Sequence, residues 1–379
     1  MQPNFSQFVR VLKGEESPRR VHLVEWAVDL EVIEFIMRER FSCKTIPLRS
    51  VFGPDESRRD IITFLLNDGE RTFIDTLIEF YQRMNYDCFA DIVPLIQLVQ
   101  RVFIPRIRSR HFTDDVAAVS RGRREFAEEG IGIIESSKDL DLFPWEEIQV
   151  DLGKYYDYLE KRLPRGMKVM VGGSLFEQVL EYLLGYEGLF FLLHDDPRMV
   201  QEIFCRLGEL VERIYSSALQ HDCVGGIFHA DDMGFKTGTL VNPECLKKLL
   251  FPWLVKYRTL AHGQGKTFWL HSCGNLSGLW PELIFDVQID CYHSFQDEIV
   301  SVIEFKERFG KLVGVLGGID IDKMCRLEEK SFRHYVRTVL RSCMPGGRYA
   351  LGSGNTVTNY ISIRNYYAML DEAAHWQID

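Results

Sequence analysis

Eight short apolar runs punctuate the chain, at Val21–Trp26, Tyr86–Val93, Met167–Gly173, Gly225–Asp231, Thr267–Cys273, Ile289–Phe295, Leu312–Gly318 and Gly347–Gly352. Their length and bounding turn residues predict strands. Between most of them the apolar positions recur at three and four residues, which predicts amphipathic helices. The clearest spans Pro197–Gln220, with Val200, Ile203, Phe204, Leu207, Leu210, Val211 and Ile214 on one stripe. Further helices are predicted at Asp29–Arg40, Ser174–Leu193, Pro243–His262, Ile299–Phe309, Glu328–Cys343 and Ile363–Ala374. Strands alternating with helices imply parallel β-α units. Eight such strands favour an α/β fold of the (β/α)8 TIM-barrel type, and no G-x-G-x-x-G follows the first strand. Residues 1–20 read as a short helical N-terminal lead-in and 21–379 as a single barrel. The stretch 101–145 fits no β-α unit and reads as an elaborated loop region, with Gly130–Glu135 as a hairpin arm.

A barrel of this kind gathers its chemistry at the C-terminal ends of its strands. Those ends are polar or glycine-rich here. The fifth run stops at His271-Ser272-Cys273-Gly274. On a strand, side chains two apart share a face, so His271 and Cys273 are paired donors for a soft divalent metal such as zinc. The fourth run ends His229-Ala230-Asp231-Asp232, which offers His229, Asp231 and Asp232 for proton transfer. Only one of the adjacent aspartates can face inward, and Asp232 fits if the chain turns there. Gly172 and Gly173, Gln296, Gly318 and Asp320, and Ser353 and Asn355 end the third, sixth, seventh and eighth runs as candidate substrate-binding positions. Each also has a plain reading: the glycines as turn formers, Asp231 as a cap, His229 and His293 as hydrogen-bonded structural histidines.

Composition narrows the partners. The 379 residues are 46% apolar and 12% aromatic, enough for a large core. Net charge is −10 from 45 basic and 55 acidic residues, so no nucleic-acid partner is expected. The arginines at 106, 108, 110, 121, 123 and 124 read as solvated loops or, more sharply, as contacts for an anionic substrate group. No run approaches the ~20 apolar residues of a membrane span, and no apolar signal segment opens the chain. Nine scattered cysteines form no disulfide framework. The chain therefore reads as cytoplasmic.

The order His229–Gly234, Leu270–Asn275, Gly314–Asp320 and Gly346–Asn355 resembles the uroporphyrinogen decarboxylase superfamily, over roughly residues 20–375. The resemblance is nearest to its methyltransferase branch, which includes methylcobalamin:coenzyme M methyltransferases and corrinoid-linked O-demethylases. It implies a (β/α)8 barrel, zinc on His271 and Cys273, a small methyl donor or acceptor, and a corrinoid. No D-x-H-x-x-G segment is present, so a partner corrinoid protein is expected to supply the corrinoid in trans. The branch's third zinc ligand is a late cysteine, where this chain has Asn355; Asp231, Asp232 or Glu177 is then the available carboxylate. The arginine-rich M-R-Q-A-G-R motif of true decarboxylases is absent from the first strand, Val21–Asp29. Two alternatives stand beside methyl transfer: a metal-free lyase of the decarboxylase type using Asp232, and a non-catalytic binding protein.

Overall fold

The computed structural model describes residues 2–43, 51, 55–107, 112–114, 125–127 and 132–377. Seven strands form one all-parallel sheet: β1 (Cys88–Asp91), β2 (Lys168–Gly173), β3 (Val224–Ala230), β4 (Thr267–His271), β5 (Cys291–His293), β6 (Gly314–Leu316) and β7 (Tyr349–Ala350). They lie side by side in chain order. The segment around Leu23 pairs in parallel with Leu351, so the 21–26 run lies beside β7 as an eighth stave. On its other flank the contacts to the β1 side run through side chains. Arg20 and His22 both bind Asp87, and Tyr86 donates to Glu25. Each of the eight runs expected from the sequence thus supplies a stave of an α/β barrel.

Side-chain alternation sorts every stave into an inner and an outer face. Val24, Ala90, Met170, Phe228, Trp269, Cys291, Leu316 and Ala350, one from each stave, pack together in a cluster separate from the main core. This is the barrel interior. Its floor is sealed by the lead-in helix Phe5–Leu12, whose Phe8 ring lies 5.7 Å from Trp269 and stacks on His22 at 4.9 Å. Burying side chains of this size contributes ~1.5–3 kcal/mol each. The outer faces meet the helices in the larger core. The helix Pro197–Leu219 starts where the Asp196 side chain accepts from Met199 N, with Pro197 in the first turn.

Some expected helices are interrupted, for local reasons. Pro252 lacks an N–H, and the 243–262 pattern splits into Pro243–Leu249 and Phe251–Gly263. The 174–193 pattern contains a π-helical turn, Val179–Leu183. The amides of Gly132, Ile133 and Ile134 donate to the carbonyls of Leu184, Tyr182 and Leu183. That contact corrects the hairpin arm expected at 130–135: residues 130 and 131 lie outside the described residues, and 132–134 run against this helix end. Within 101–145 the antiparallel pair is Phe112–Asp114 with Glu125–Ala127. Arg106 is held in two bonds of 2.7 Å by Asp60, while 108, 110, 121, 123 and 124 lie outside the described residues. No described helix is long and apolar enough to cross a membrane.

Candidate active site

The face parity of each strand decides which polar residue reaches the barrel mouth. Trp269 is inward, so His271 is inward; Cys291 is inward, so His293 is inward; Phe228 is inward, so Ala230 is inward and His229 is not. A cavity of about 350 Å³ opens above the interior cluster. His271, Cys273, Asp232, Gln296, Asp320 and Asn355 line it, together with Trp26, Glu177, Trp280, Ser294, Phe295 and Tyr360.

At one end of the cavity three donors converge. His271 Nε2 lies 3.5 Å from Cys273 Sγ and 3.5 Å from Asp232 Oδ1. The ligand atoms of all three lie within 4.8 Å of one another. β4 ends at His271, and Cys273 reaches the same point from the turn that follows. That turn is fixed by Gly274 at φ +84, where a Cβ would come within 2.2 Å of the Gly234 backbone. Asp232 is oriented by the Cys273 amide, which donates to its Oδ1 at 2.8 Å.

A second layer sets the histidine's protonation. His293 Nε2 lies 3.0 Å from the Ser353 carbonyl, so it must carry the proton and donate. Its Nδ1 is then an acceptor, and His271 Nδ1, at 2.7 Å, donates to it. When His271 sheds one proton, Nε2 is therefore the nitrogen that loses it, and its lone pair faces the Cys273 and Asp232 atoms, the tautomer a metal ligand needs. Burial, and then His271, push the His293 pKa well below that of a free imidazole, which keeps His293 neutral. Trp26 stacks on His271 with ring centres 5.5 Å apart.

The titrating groups respond to this crowding. Burial and then Asp232 push the Cys273 thiol well above its ordinary range. Burial alone would raise Asp232, but His271 and the Cys273 amide hold it below the usual carboxylate range. Burial, then Asp232, Glu181 and Asp231, drive Glu177 well upward. Without a cation the site therefore holds a thiol and one ionised carboxylate. Asn355 Nδ2 sits 3.1 Å from Cys273 Sγ, placed to donate to a thiolate and not to bind a metal. One imidazole nitrogen, one sulfur and one carboxylate oxygen within reach of a common point fit a divalent cation such as zinc.

His229 and Asp231 sit on the outer side of β3 and do not line the cavity. Tyr215 OH bonds His229 Nδ1 at 2.7 Å, and His229 Nε2 bonds Asp231 Oδ2 at 2.7 Å. Asp231 Oδ1 accepts from Ser174 Oγ and from the amides of Leu175 and Glu177. Both are fully buried, and their bonds tie β3 to the helix layer. Neither side chain lines the cavity in which the proton transfer expected of them would take place. Gly172 backs onto Trp26, Gly173 faces Tyr215 and Gly318 faces Val302. Ser353 lies beneath the mouth on Glu25. None of these four lines the cavity. Two participants were missed in the sequence. Ser294 Oγ lies 3.7 Å from Cys273 Sγ. Glu25 takes the Ser353 amide and hydroxyl, and a lone charge inside the apolar Val21–Trp26 run was its only signal.

In fold the chain is similar to a methyltransferase from Methanosarcina mazei, with a TM-score of 0.61 and 12% identity, covering 98% of both chains. A B12-independent methionine synthase from Shewanella sp. W3-18-1, in complex with selenomethionine, matches with a TM-score of 0.46 and 10% identity, over 82% of this chain and 88% of that one. The second likeness is too loose to argue from. No family model and no curated protein matches the sequence. The first likeness shows the fold, which is the barrel that the resemblance to the uroporphyrinogen decarboxylase superfamily implied.

Proposed function

We propose that this barrel is a methyltransferase that moves a methyl group between a small substrate in the cavity and a corrinoid carried in trans by a partner protein. The observation that carries the reading is the His271–Cys273–Asp232 donor set, with the His271 lone pair fixed toward it by His293. These three residues would hold zinc. Bound there, zinc supplies Lewis acidity to the oxygen, nitrogen or sulfur that gives up or receives the methyl group. His271 is oriented by its bond to His293, and Asn355 stabilises negative charge on Cys273 by donating to Sγ. Glu177, in the same wall, holds a proton that a leaving heteroatom can take. Trp26, Trp280 and Phe295 exclude water from one side of the cavity.

Asp232, expected as a proton carrier, is better used as the third ligand, where the methyltransferase branch has a late cysteine. A carboxylate in place of a thiolate makes the set harder, which suits an oxygen or nitrogen centre as well as sulfur. The decarboxylase alternative asks a cavity of this size to hold a polycarboxylate. Among its described lining residues there is no lysine or arginine to receive one.

The test is metal content of protein purified without oxygen, beside His271→Ala, Cys273→Ser and Asp232→Ala. One zinc per chain, lost or much weakened in all three variants, supports the reading. Absence of zinc from the wild-type protein after zinc is supplied would sink it.

A further inference from the structure

We infer that the substrate carries a positive charge: a thiol, ether or amine whose reacting heteroatom lies a few bonds from an ammonium group. This rests on the methyl-transfer reading of the cavity and names its substrate class. Away from the donor set and the proton-carrying Glu177, the Asp and Glu side chains of the wall are Asp320 and Asp322. Among the described lining residues no lysine or arginine faces them. The cations at neighbouring positions are already engaged elsewhere. Lys323 binds Asp297 and covers the Tyr335 ring at 4.2 Å and Lys236 binds Glu298 at 2.7 Å, whereas Arg326 does pair with a wall carboxylate, the exposed Asp322. Arg106 is spent on Asp60.

The carboxylates differ in what they have left to offer. Asp320 caps the helix Ile321–Arg326, accepting from Lys323 N at 3.0 Å, and also accepts from Asp297 N at 2.9 Å. These are neutral amide donors, so they orient the carboxylate without cancelling its charge. Asp322 is paired only at the surface with Arg326, a contact that water and salt weaken. The remaining wall contains Trp280, Tyr292, Phe295 and Tyr360. Among the described lining residues an anionic tail would meet no counter-charge, whereas an ammonium tail meets the Asp320 carboxylate.

In the transfer step, the bond between methyl and heteroatom breaks and the heteroatom keeps the electron pair. The methyl carbon bonds to the electron pair of a reduced corrinoid, and the leaving heteroatom takes one proton. The ammonium tail takes no part in this balance, so its charge can be tested by binding alone.

The experiment is a charge series on one skeleton: 2-aminoethanethiol, 2-mercaptoethanol and 2-mercaptoethanesulfonate, titrated calorimetrically into zinc-loaded protein. Their S-methyl thioethers are titrated into metal-free protein. The expected order in both arms is cation, then neutral, then anion, with the cation at least tenfold tighter than the neutral compound. Asp320→Asn keeps one oxygen to cap the helix and, combined with Asp322→Asn, should reduce that ratio to about twofold. An anion that binds as well as the neutral compound, equal binding of all three, or no binding in either arm would overturn the inference. Because the metal-free arm needs neither zinc nor turnover, failure of methyl transfer with the order preserved would count against the proposed activity alone.

Discussion

His271 and His293 meet Nδ1 to Nδ1 at 2.7 Å, and the Ser353 carbonyl on the far side of His293 decides which of them donates. Replacing His293 with Phe leaves the His271 Nδ1–H unpaired and the Ser353 carbonyl with the Gly318 amide as its donor. Zinc affinity should fall ~10–100-fold, the usual cost of removing such a supporting contact. His293→Gln can accept from His271 and donate to Ser353, and should recover most of the loss. Nitrogen-15 chemical shifts in the metal-free protein should show His271 Nδ1 protonated in wild type and a mixture of Nδ1 and Nε2 tautomers in the Phe variant. Wild-type zinc affinity in His293→Phe would rule the relay out.

Asn355 stands against Cys273 Sγ at 3.1 Å. Asn355→Cys, kept reduced, should place a second thiolate on the common point and tighten zinc binding at least tenfold. Competition against a chelator of known affinity measures this. Unchanged affinity would mean that residue 355 lies off the metal's coordination shell.

Glu25 links acidity to folding. Burial raises its carboxyl from 4.5 to about 8, against the opposing bonds from Ser353 and Tyr86. Between those values the native protein keeps a proton that the unfolded chain has released. Its stabilising contribution is therefore complete below pH 4.5 and is lost as the pH rises toward 8, at roughly 1.4 kcal/mol per pH unit at most. Urea unfolding of wild type and Glu25→Gln at several pH values tests this. The difference between them should change across that window, and a constant difference would show that Glu25 is ionised in the native state.

Asp231→Asn should cost ~1–3 kcal/mol of stability, because the buried carboxylate serves His229, Ser174 and two amides. Zinc content and affinity should be unchanged in the folded variant. Loss of zinc at full occupancy of the folded state would return Asp231 to the site.

The barrel was legible because all eight staves announce themselves as apolar runs between turns, and period-two alternation carries into space. Alternation also put His271 in the mouth. It could not separate Asp231 from Asp232, because that choice depends on where β3 gives way to a turn, and the Gly234 and Gly274 backbones settle it by packing on one another. His293 carried no mark to distinguish an isolated buried histidine from one seated between a ligand and a carbonyl. The contact of Glu25 with Ser353 spans 328 residues, a distance at which local patterns say nothing.

Gly352 leaves no room for a side chain: a Cβ there would fall 1.7 Å from the Val24 carbonyl. The first and last staves thus touch backbone to backbone, and the Ser353 carbonyl that orients His293 comes immediately afterwards. A ribosome-bound chain that has not yet emerged past residue 353 has His271, Cys273 and His293 but lacks the carbonyl that orients His293. In the proposed reading, firm metal binding therefore depends on the last stave having closed against the first.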